Sequence, residues 1–266
     1  MIQLTDEEFR QLVSYVQANY GIDLGKKRLL IESRMYSVLA EKKLSSFSEY
    51  FNLLHREGAP ERDVLLNKLT TNHTYFMREP AHFDFMKKTF LPSQERTNGR
   101  RNLRIWSAGC STGEEAYTAV MVMKDYFGLN TGWDYRILAT DISTHVLEAA
   151  REGVYPAESL QKLPPEWRRR WFRRSEENYL LSDEIKKEVI FKKLNLMDPF
   201  PYREPFDLIF CRNVMIYFNQ ATKNRLVEKF SDALRPGGYL LIGHSETIQR
   251  DGVRLKYIAP SIFQKG

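Results

Sequence analysis

Trp106–Ala116, WSAGCSTGEEA, is a small-residue turn between the apolar run LRIWS and the helical run EEAYTAVMVMKDYF. A glycine- and serine-rich turn from strand to helix ordinarily cradles phosphate on backbone N–H groups and the helix N-terminus. Here Glu114 and Glu115 follow at once, and two carboxylates repel phosphate. A phosphate loop needs Lys-Ser/Thr after its second glycine, where this chain has Glu114. A dinucleotide fingerprint needs a third glycine, and only Gly109 and Gly113 are present. The turn therefore suits a ligand that is neutral or cationic at the end facing it. Further along, Asp141 closes the apolar run YRILATD. An acid at that point typically accepts hydrogen bonds from ribose hydroxyls, although a cap for the next helix would use the same residue type. An adenosine ligand with a cationic end matches S-adenosylmethionine, and Glu115 is the candidate to pair with one of its cations. The alternative for Glu114 and Glu115 is a first-turn acid pair favoured by the helix dipole, which fits Glu114 better than Glu115.

These residues need a sheet to hold them. LRIWSA, YRILATD, FDLIFC and YLLIGH are short, nearly continuous apolar runs, as expected of strands buried on both faces. Helical runs follow three of them, which predicts an α/β domain with a parallel sheet over residues 103–266. In such sheets ligands bind beyond the carboxyl ends of the strands at a topological switch point. The Ser107–Gly113 turn, the end of ATDIS and the end of FCRN are expected to converge there. A block at about 154–194 breaks the alternation and reads as a small inserted β-subdomain, with NYLLS and EVIFKKL as strand-like pieces.

Residues 1–90 have helical periodicity throughout. TDEEFRQLVSYVQANYG opens on a capping box, Thr5 with Glu8, and closes on Gly21. Residues 91–102, LPSQERTNGRRN, show no period and read as a linker.

At 266 residues and 42% hydrophobic content the chain can bury a substantial core. Nothing approaches 18 consecutive apolar residues, so no membrane insertion is expected. The acidic, amphipathic start does not read as a signal peptide, and two cysteines are expected to make neither a disulfide framework nor a metal site. A reducing cytoplasm is the expected compartment. The net charge of +6 is unevenly placed. Lys26–Lys43 carries six basic and two acidic residues, and WRRRWFRR at Trp167–Arg174 carries five arginines and no acid. Either run fits a solvated face or an acidic partner.

TTNHTYFMREPAHF, IWSAGCSTGEEAYTAVM, ILATDIS, FDLIFCRNVMIYF and LRPGGYLLIGHSE occur in this order and span most of the chain. Together they closely resemble the chemotaxis receptor methyltransferases, the CheR family. The resemblance implies a class I S-adenosylmethionine-dependent methyltransferase domain, Rossmann-like, with an inserted β-subdomain, preceded by an all-α N-terminal domain. The implied reaction is methyl transfer to glutamate side chains of methyl-accepting chemotaxis receptors, with S-adenosylhomocysteine as product and no metal. Cofactor contacts would fall on Asn72, Thr74 and Arg78, on Glu115 and Asp141, on Asn195 and Leu196, and on Arg212 and Asn213. Arg78 and Tyr217 would position the acceptor, while Phe76 and Phe218 read as core. His73, His82 and His244 have no evident triad partners, and a glutamate acceptor needs no general base.

The basic helix would meet the acidic cytoplasmic helices of the receptor through Arg28, Arg34, Lys42 and Lys43. Some family members tether a receptor pentapeptide on a longer, glycine-bearing loop of the insert. Here the matching stretch RRSEENYLLSDE is short and lacks glycine, so a tether-independent enzyme is expected; a monomer is expected separately. A nucleic-acid methyltransferase would share the sheet and the positive charge. However, CRNV stands where amino-methylating enzymes commonly carry N/D-P-P-Y, so no nucleic-acid partner is expected. Intact Arg78, Glu115, Asp141, Arg212 and Tyr217 argue against a non-catalytic scaffold.

Overall fold

The computed structural model describes residues 2–56, 58–128, 132–249 and 253–266. The chain forms two compact units: Met1–Thr71 with Tyr217–Thr222, and Asn72–Ile216 with Lys223–Gly266.

The first unit is helical. Helix α1 (Asp6–Tyr20) begins on the expected capping box and ends on Gly21 at φ 73°. The second oxygen of Glu8 accepts Ser48 N–H and Oγ–H, both at 2.8 Å, which pins α1 to the start of α3 (Phe47–Leu54). Between them runs α2 (Arg28–Glu41), and α4 (Glu61–Leu69) follows. Leu12, Val16, Ile31, Met35, Leu39, Tyr50 and Leu65 are buried to within 1% and form this unit's core. Tyr217 and Phe218 belong here: Asp23 N–H donates to the Tyr217 carbonyl, and Ile22 bridges Phe218.

The second unit opens with α5 (Pro80–Phe85), a π-helical turn at Met86–Phe90 and α6 (Leu91–Thr97). Two sequence expectations change here. The first part of the anticipated linker is helix, and the two units part at residue 71 rather than 90. Phe83, Met86, Phe90 and Leu91 are buried in the same core as the sheet. A seven-residue helix anchored by Leu91 alone is too short to show a period, and Pro92 sits in its first turn, where proline is tolerated.

The sheet has seven strands in the order β6-β2-β1-β7-β8-β10-β9. In chain order the main elements are β1 (Asn102–Ala108), α7 (Glu114–Phe127), β2 (Asp134–Asp141) and α8 (Thr144–Glu152). The insert then holds β3 (Val154–Pro156), α9 (Pro165–Trp171), β4 (Phe172–Ser175), β5 (Asn178–Leu181) and α10 (Asp183–Lys186). After it come β6 (Val189–Lys193), β7 (Phe206–Cys211), α11 (Gln220–Ala233), β8 (Leu234–Ile242), β9 (Leu255–Ala259) and β10 (Ile262–Lys265). Strands β6, β2, β1, β7 and β8 pair in parallel, whereas β10 and β9 return antiparallel. Every residue of β7 is buried, as its unbroken apolar run requires.

The insert is smaller than expected. Its own sheet is β3-β5-β4, antiparallel, while Val189–Lys193 joins the main sheet beside β2 with Ile137 opposite Val189. That strand alternates buried and exposed residues and ends in two lysines, as suits the edge of the large sheet. In WRRRWFRR, Trp167, Trp171 and Phe172 turn into the core and leave the arginines outside.

Candidate active site

Neighbours β2 and β7 flank β1 on opposite sides, so the switch point lies beyond the carboxyl end of β1. The turn after β1 is built to close on itself. The N–H groups of Gly109 and Cys110 both donate to the Thr140 carbonyl, at 2.8 and 2.9 Å. Ser111 N–H donates to Asp141 Oδ2 at 2.9 Å, and Gly113 N–H to the Cys110 carbonyl at 3.0 Å. These four amides are already committed within the turn and to the end of β2, so they are not free for a phosphate. Gly109 (φ 90°) and Gly113 (φ 94°) are needed by conformation and by space. A Cβ on Gly109 would collide with Val214, and one on Gly113 would press on Tyr117 and Ala150.

Asp141 ends β2 and accepts a second amide, Ser143 N–H, on Oδ1 at 3.0 Å. It is not the cap of α8; that role falls to Ser143, whose Oγ accepts from Val146 N–H. Burial raises the Asp141 carboxyl above its ordinary range, and the surrounding amides of Ser143, Ser111 and Ile142 partly offset this. The Ser111 and Ser143 amides thus divide between the two oxygens, Oδ2 and Oδ1. Leu194 N–H ties the strand next door to the Asp141 carbonyl. Beyond it, Asn195 Oδ1 accepts Met197 N–H in a local turn, and the Leu196 carbonyl is held by Lys229 Nζ at 2.6 Å.

Arg212, at the end of β7, is the centre of the charged network. Its Nη1 donates to Glu115 Oε2 at 3.2 Å, and its Nε and Nη2 donate to Glu79 Oε2 at the same distance. Nη2 also reaches the Arg78 carbonyl in a short contact. Ser107 Oγ–H donates to the other oxygen of Glu115 at 2.7 Å. Burial pushes the Glu115 carboxyl up, against the pull of Arg212 and Ser107. Glu79 is the opposite case: Arg212, the His244 N–H and the Asn213 amide outweigh its burial and hold it below the usual carboxylate range. His82, fully buried, is held down to about 3 by burial and by Arg212, and is therefore neutral at ordinary pH.

Of the other expected residues, Asn72 accepts Ser111 Oγ–H on its carbonyl, and Thr74 is half-buried. Arg78 Nη1 donates to the His73 carbonyl at 2.6 Å. Four non-glycine residues of this region have left-handed backbones: Met77, Glu79, Ser111 and Asn213. Such strain gathers where surrounding contacts over-determine a functional geometry. Asn213 is held by its backbone N–H on Glu246 Oε2, which also takes Gly243 N–H, while Ile216 N–H reaches Glu246 Oε1. The sequence reading missed Glu79, Glu246 and Ser107. The first two stand inside the motifs MREP and GHSE, but only the β7 loop supplies the partners that give them work. Glu79, His82 and His244 also form a three-ligand cluster, the one such group among the described residues. Its carboxylate already serves Arg212, so a divalent cation there would have to share Glu79 with a guanidinium.

The described geometry sets Asp141, Glu115 and Glu79 around a turn whose amides at Gly109, Cys110, Ser111 and Gly113 are taken. Residues 72–261 match the family described as CheR methyltransferase, SAM binding domain, and residues 7–70 match its all-alpha domain. The chain belongs to the CheR methyltransferase family. It is 46% identical to a chemotaxis protein methyltransferase of Borreliella burgdorferi, covering 99% of this chain and 96% of that one. It is 37% identical to the chemotaxis protein methyltransferase of Escherichia coli (92% and 86% covered) and 36% identical to chemotaxis protein methyltransferase 2 of Pseudomonas aeruginosa (97% and 93%). The fold is accordingly an all-α domain joined to an S-adenosylmethionine-binding methyltransferase domain. Among the described residues no helix is long and apolar enough to cross a membrane.

In this CheR domain the two acids of the GEE turn separate by environment. Glu115 faces Arg212, whereas Glu114 is 3% exposed and takes only Thr112 Oγ–H as a side-chain donor. Burial raises Glu114 to about 7. A carboxyl raised above its unfolded value stabilises the fold below about pH 4.5 and loses that contribution as pH rises through about 7. Glu114→Gln should therefore be more stable than wild type by about 3 kcal/mol at pH 8. Near pH 4.5 the two should unfold alike in urea.

Proposed function

We propose that this chain transfers a methyl group from S-adenosylmethionine to glutamate side-chain carboxylates of methyl-accepting chemotaxis receptors, forming glutamyl methyl esters. The observation that carries this reading is the turn at Gly109–Gly113, whose committed amides and adjoining acids suit an adenosyl cation and not a nucleotide phosphate. When bound, the sulfonium supplies an already activated methyl group: the C–S bond breaks as a carboxylate oxygen forms the C–O bond, and the electron pair leaves on sulfur as S-adenosylhomocysteine. The acceptor is ionised at neutral pH, with a pKa of roughly 4.3, so no residue of the chain has to remove a proton.

The protein's work is positioning and exclusion of water. Asp141 accepts from the ribose, and Glu115 pairs with the cationic amino-acid end. Asn72, Thr74 and Asn213 line the donor, with Asn195 and Leu196 beside the adenine. Arg78, already tied to the His73 carbonyl, orients the acceptor through one oxygen together with Tyr217. The Tyr217 hydroxyl lies 3.4 Å from the Thr71 carbonyl. Tritiated donor incubated with receptor-rich membranes should label protein in an alkali-labile form. Alkali-stable label, or label in nucleic acid, would overturn the reading.

The receptor-facing role of α2 needs a different set of residues from those expected. Arg34 donates to the carbonyls of Lys68, Leu69 and Thr70 and to Thr71 Oγ1, closing the end of α4. Arg28 is held by Asp6 and the Leu4 carbonyl, and Lys42 by Glu61 at 2.9 Å. Lys43 is exposed, as are Lys26 and Lys27. Between these lysines the outer face of α2 presents Leu29 (79% exposed), Ser33, Tyr36, Ser37 and Ala40, an uncharged stripe at helical spacing. A receptor helix would pack on that stripe with its acids toward the lysines. Combined charge reversal of Lys26, Lys27 and Lys43 should raise the apparent KM for receptor and flatten its salt dependence, with cofactor affinity unchanged. Arg34→Ala should instead lower stability by about 1–3 kcal/mol, because carbonyls lose their donor.

A further inference from the structure

The motif GHSE ends on Glu246, which neither the donor nor the acceptor contacts include, although it is 6% exposed and holds a whole loop. Its Oε2 accepts Gly243 N–H at 2.6 Å and Asn213 N–H at 3.0 Å, and its Oε1 accepts Ile216 N–H at 3.2 Å. Its own N–H returns to the Gly243 carbonyl at 2.9 Å, which closes the turn after β8 on itself. Burial pushes the carboxyl above its ordinary range, against the pull of the Gly243, Asn213, Met215 and Ile216 amides. Gly243 is needed for space: a Cβ there would lie 2.8 Å from Asn213 N and 2.9 Å from Glu246 Oε2.

The carboxylate thus spans two segments, the end of β8 and the loop after β7. That loop is fixed along its length. Asn213 takes a left-handed φ of 58° and gives its side-chain amide to Glu79 Oε1 at 3.3 Å. Val214 packs over Gly109 of the turn after β1, Met215 is fully buried, and Ile216 emerges at 46% exposure. Tyr217 is next in the chain. Of the two Glu246 oxygens, Oε2 secures Asn213, on the donor side, whereas Oε1 secures Ile216, one residue before Tyr217.

We infer that Glu246 is a positioning residue for the acceptor half of the site: through the Ile216 N–H it fixes the backbone from which Tyr217 reaches the carboxylate to be methylated. The inference rests on the proposed methyl transfer to glutamate and adds to it the residue that sets Tyr217. Glu246→Gln keeps one oxygen. The shorter bonds to Gly243 and Asn213 would retain that oxygen, so the NH2 group would face the Ile216 N–H, donor against donor. The donor side would keep its geometry while the acceptor side lost it.

Calorimetric titration with S-adenosylmethionine, together with kcat and KM for receptor-rich membranes at saturating donor, separates the two halves. Glu246→Gln should bind donor within about threefold of wild type and lose about ten- to a hundredfold in kcat, the range for a hydrogen bond to a charged group. Ile216→Pro deletes the same N–H and leaves Glu246 intact, so it carries the test should Glu246→Gln not fold. Its kcat should fall at least about fivefold below that of Ile216→Ala, which keeps the N–H. A Glu246→Gln protein that melts cooperatively but loses donor affinity and kcat in the same proportion would reduce Glu246 to a prop of the fold and overturn the inference. So would wild-type kcat in that variant, or equal kcat in Ile216→Pro and Ile216→Ala. Wild type that binds donor but places no alkali-labile label on receptor would overturn the proposed reaction itself, and the inference with it.

Discussion

Arg212→Met should destabilise the methyltransferase unit by about 3–5 kcal/mol at pH 8, a fall in melting temperature of roughly 10 °C. The reason is not the loss of a favourable ion pair as such. Removing the guanidinium leaves Glu79 and Glu115, both largely buried, without their shared counter-charge, and an uncompensated buried carboxylate costs several kcal/mol. The pH dependence identifies the cause. In the variant both carboxyls would have folded pKa values raised above their unfolded ones, so protonation relieves the strain as pH falls. The gap between variant and wild type should therefore narrow markedly by pH 5. A gap that is constant from pH 5 to 8 would show that Arg212 acts by packing on Phe83, whose ring centroid it covers at 5.5 Å, and not by charge.

The second large effect is expected at Asp141. Asp141→Ala should weaken donor binding by about 10- to 100-fold, the range for losing charge-assisted hydrogen bonds worth about 1.5–3 kcal/mol. Asp141→Asn should be nearly as damaging. Both Asp141 oxygens already accept amides, from Ser111 and from Ser143, and an amide side chain must turn its NH2 group toward one of those donors. Helix α8 should survive either change, because Ser143 is its cap. Unchanged donor affinity in both variants would remove Asp141 from the cofactor site and leave it as a clasp for the Ser111 turn.

How much of this was legible beforehand depends on whether a feature is local or arises from topology. The capping box at Thr5 and Glu8, the glycine stop at Gly21 and the all-apolar β7 are local, and the sequence shows each directly. The fate of Val189–Lys193 is not local. A strand looks the same whether it closes a small insert or lines the edge of the large sheet, and only its pairing with β2 decides. The helix Leu91–Thr97 was hidden because its single anchor, Leu91, leaves no period to find. In the site, Asp141 and Arg212 were marked by their places at strand ends, and Glu115 by the acid pair that opens α7. Glu79 and Glu246 were not, since most of their partners lie thirty or more residues away in sequence. Basic residues in α2 misled for a related reason: charge is visible in a sequence, but whether Arg34 meets solvent or the end of α4 is not.

The self-satisfied turn after β1 also has a consequence for what the protein ignores. Adenosine triphosphate and an adenosyl sulfonium offer the same base and the same sugar, so recognition of those parts alone would leave the site blocked by the more ordinary metabolite. The distinction has to be drawn at the far end of the molecule. By spending the amides of Gly109, Cys110, Ser111 and Gly113 on its own backbone and on Asp141, the chain gives up the donors that a polyphosphate would use. A polyphosphate reaching this turn would find those four donors already taken.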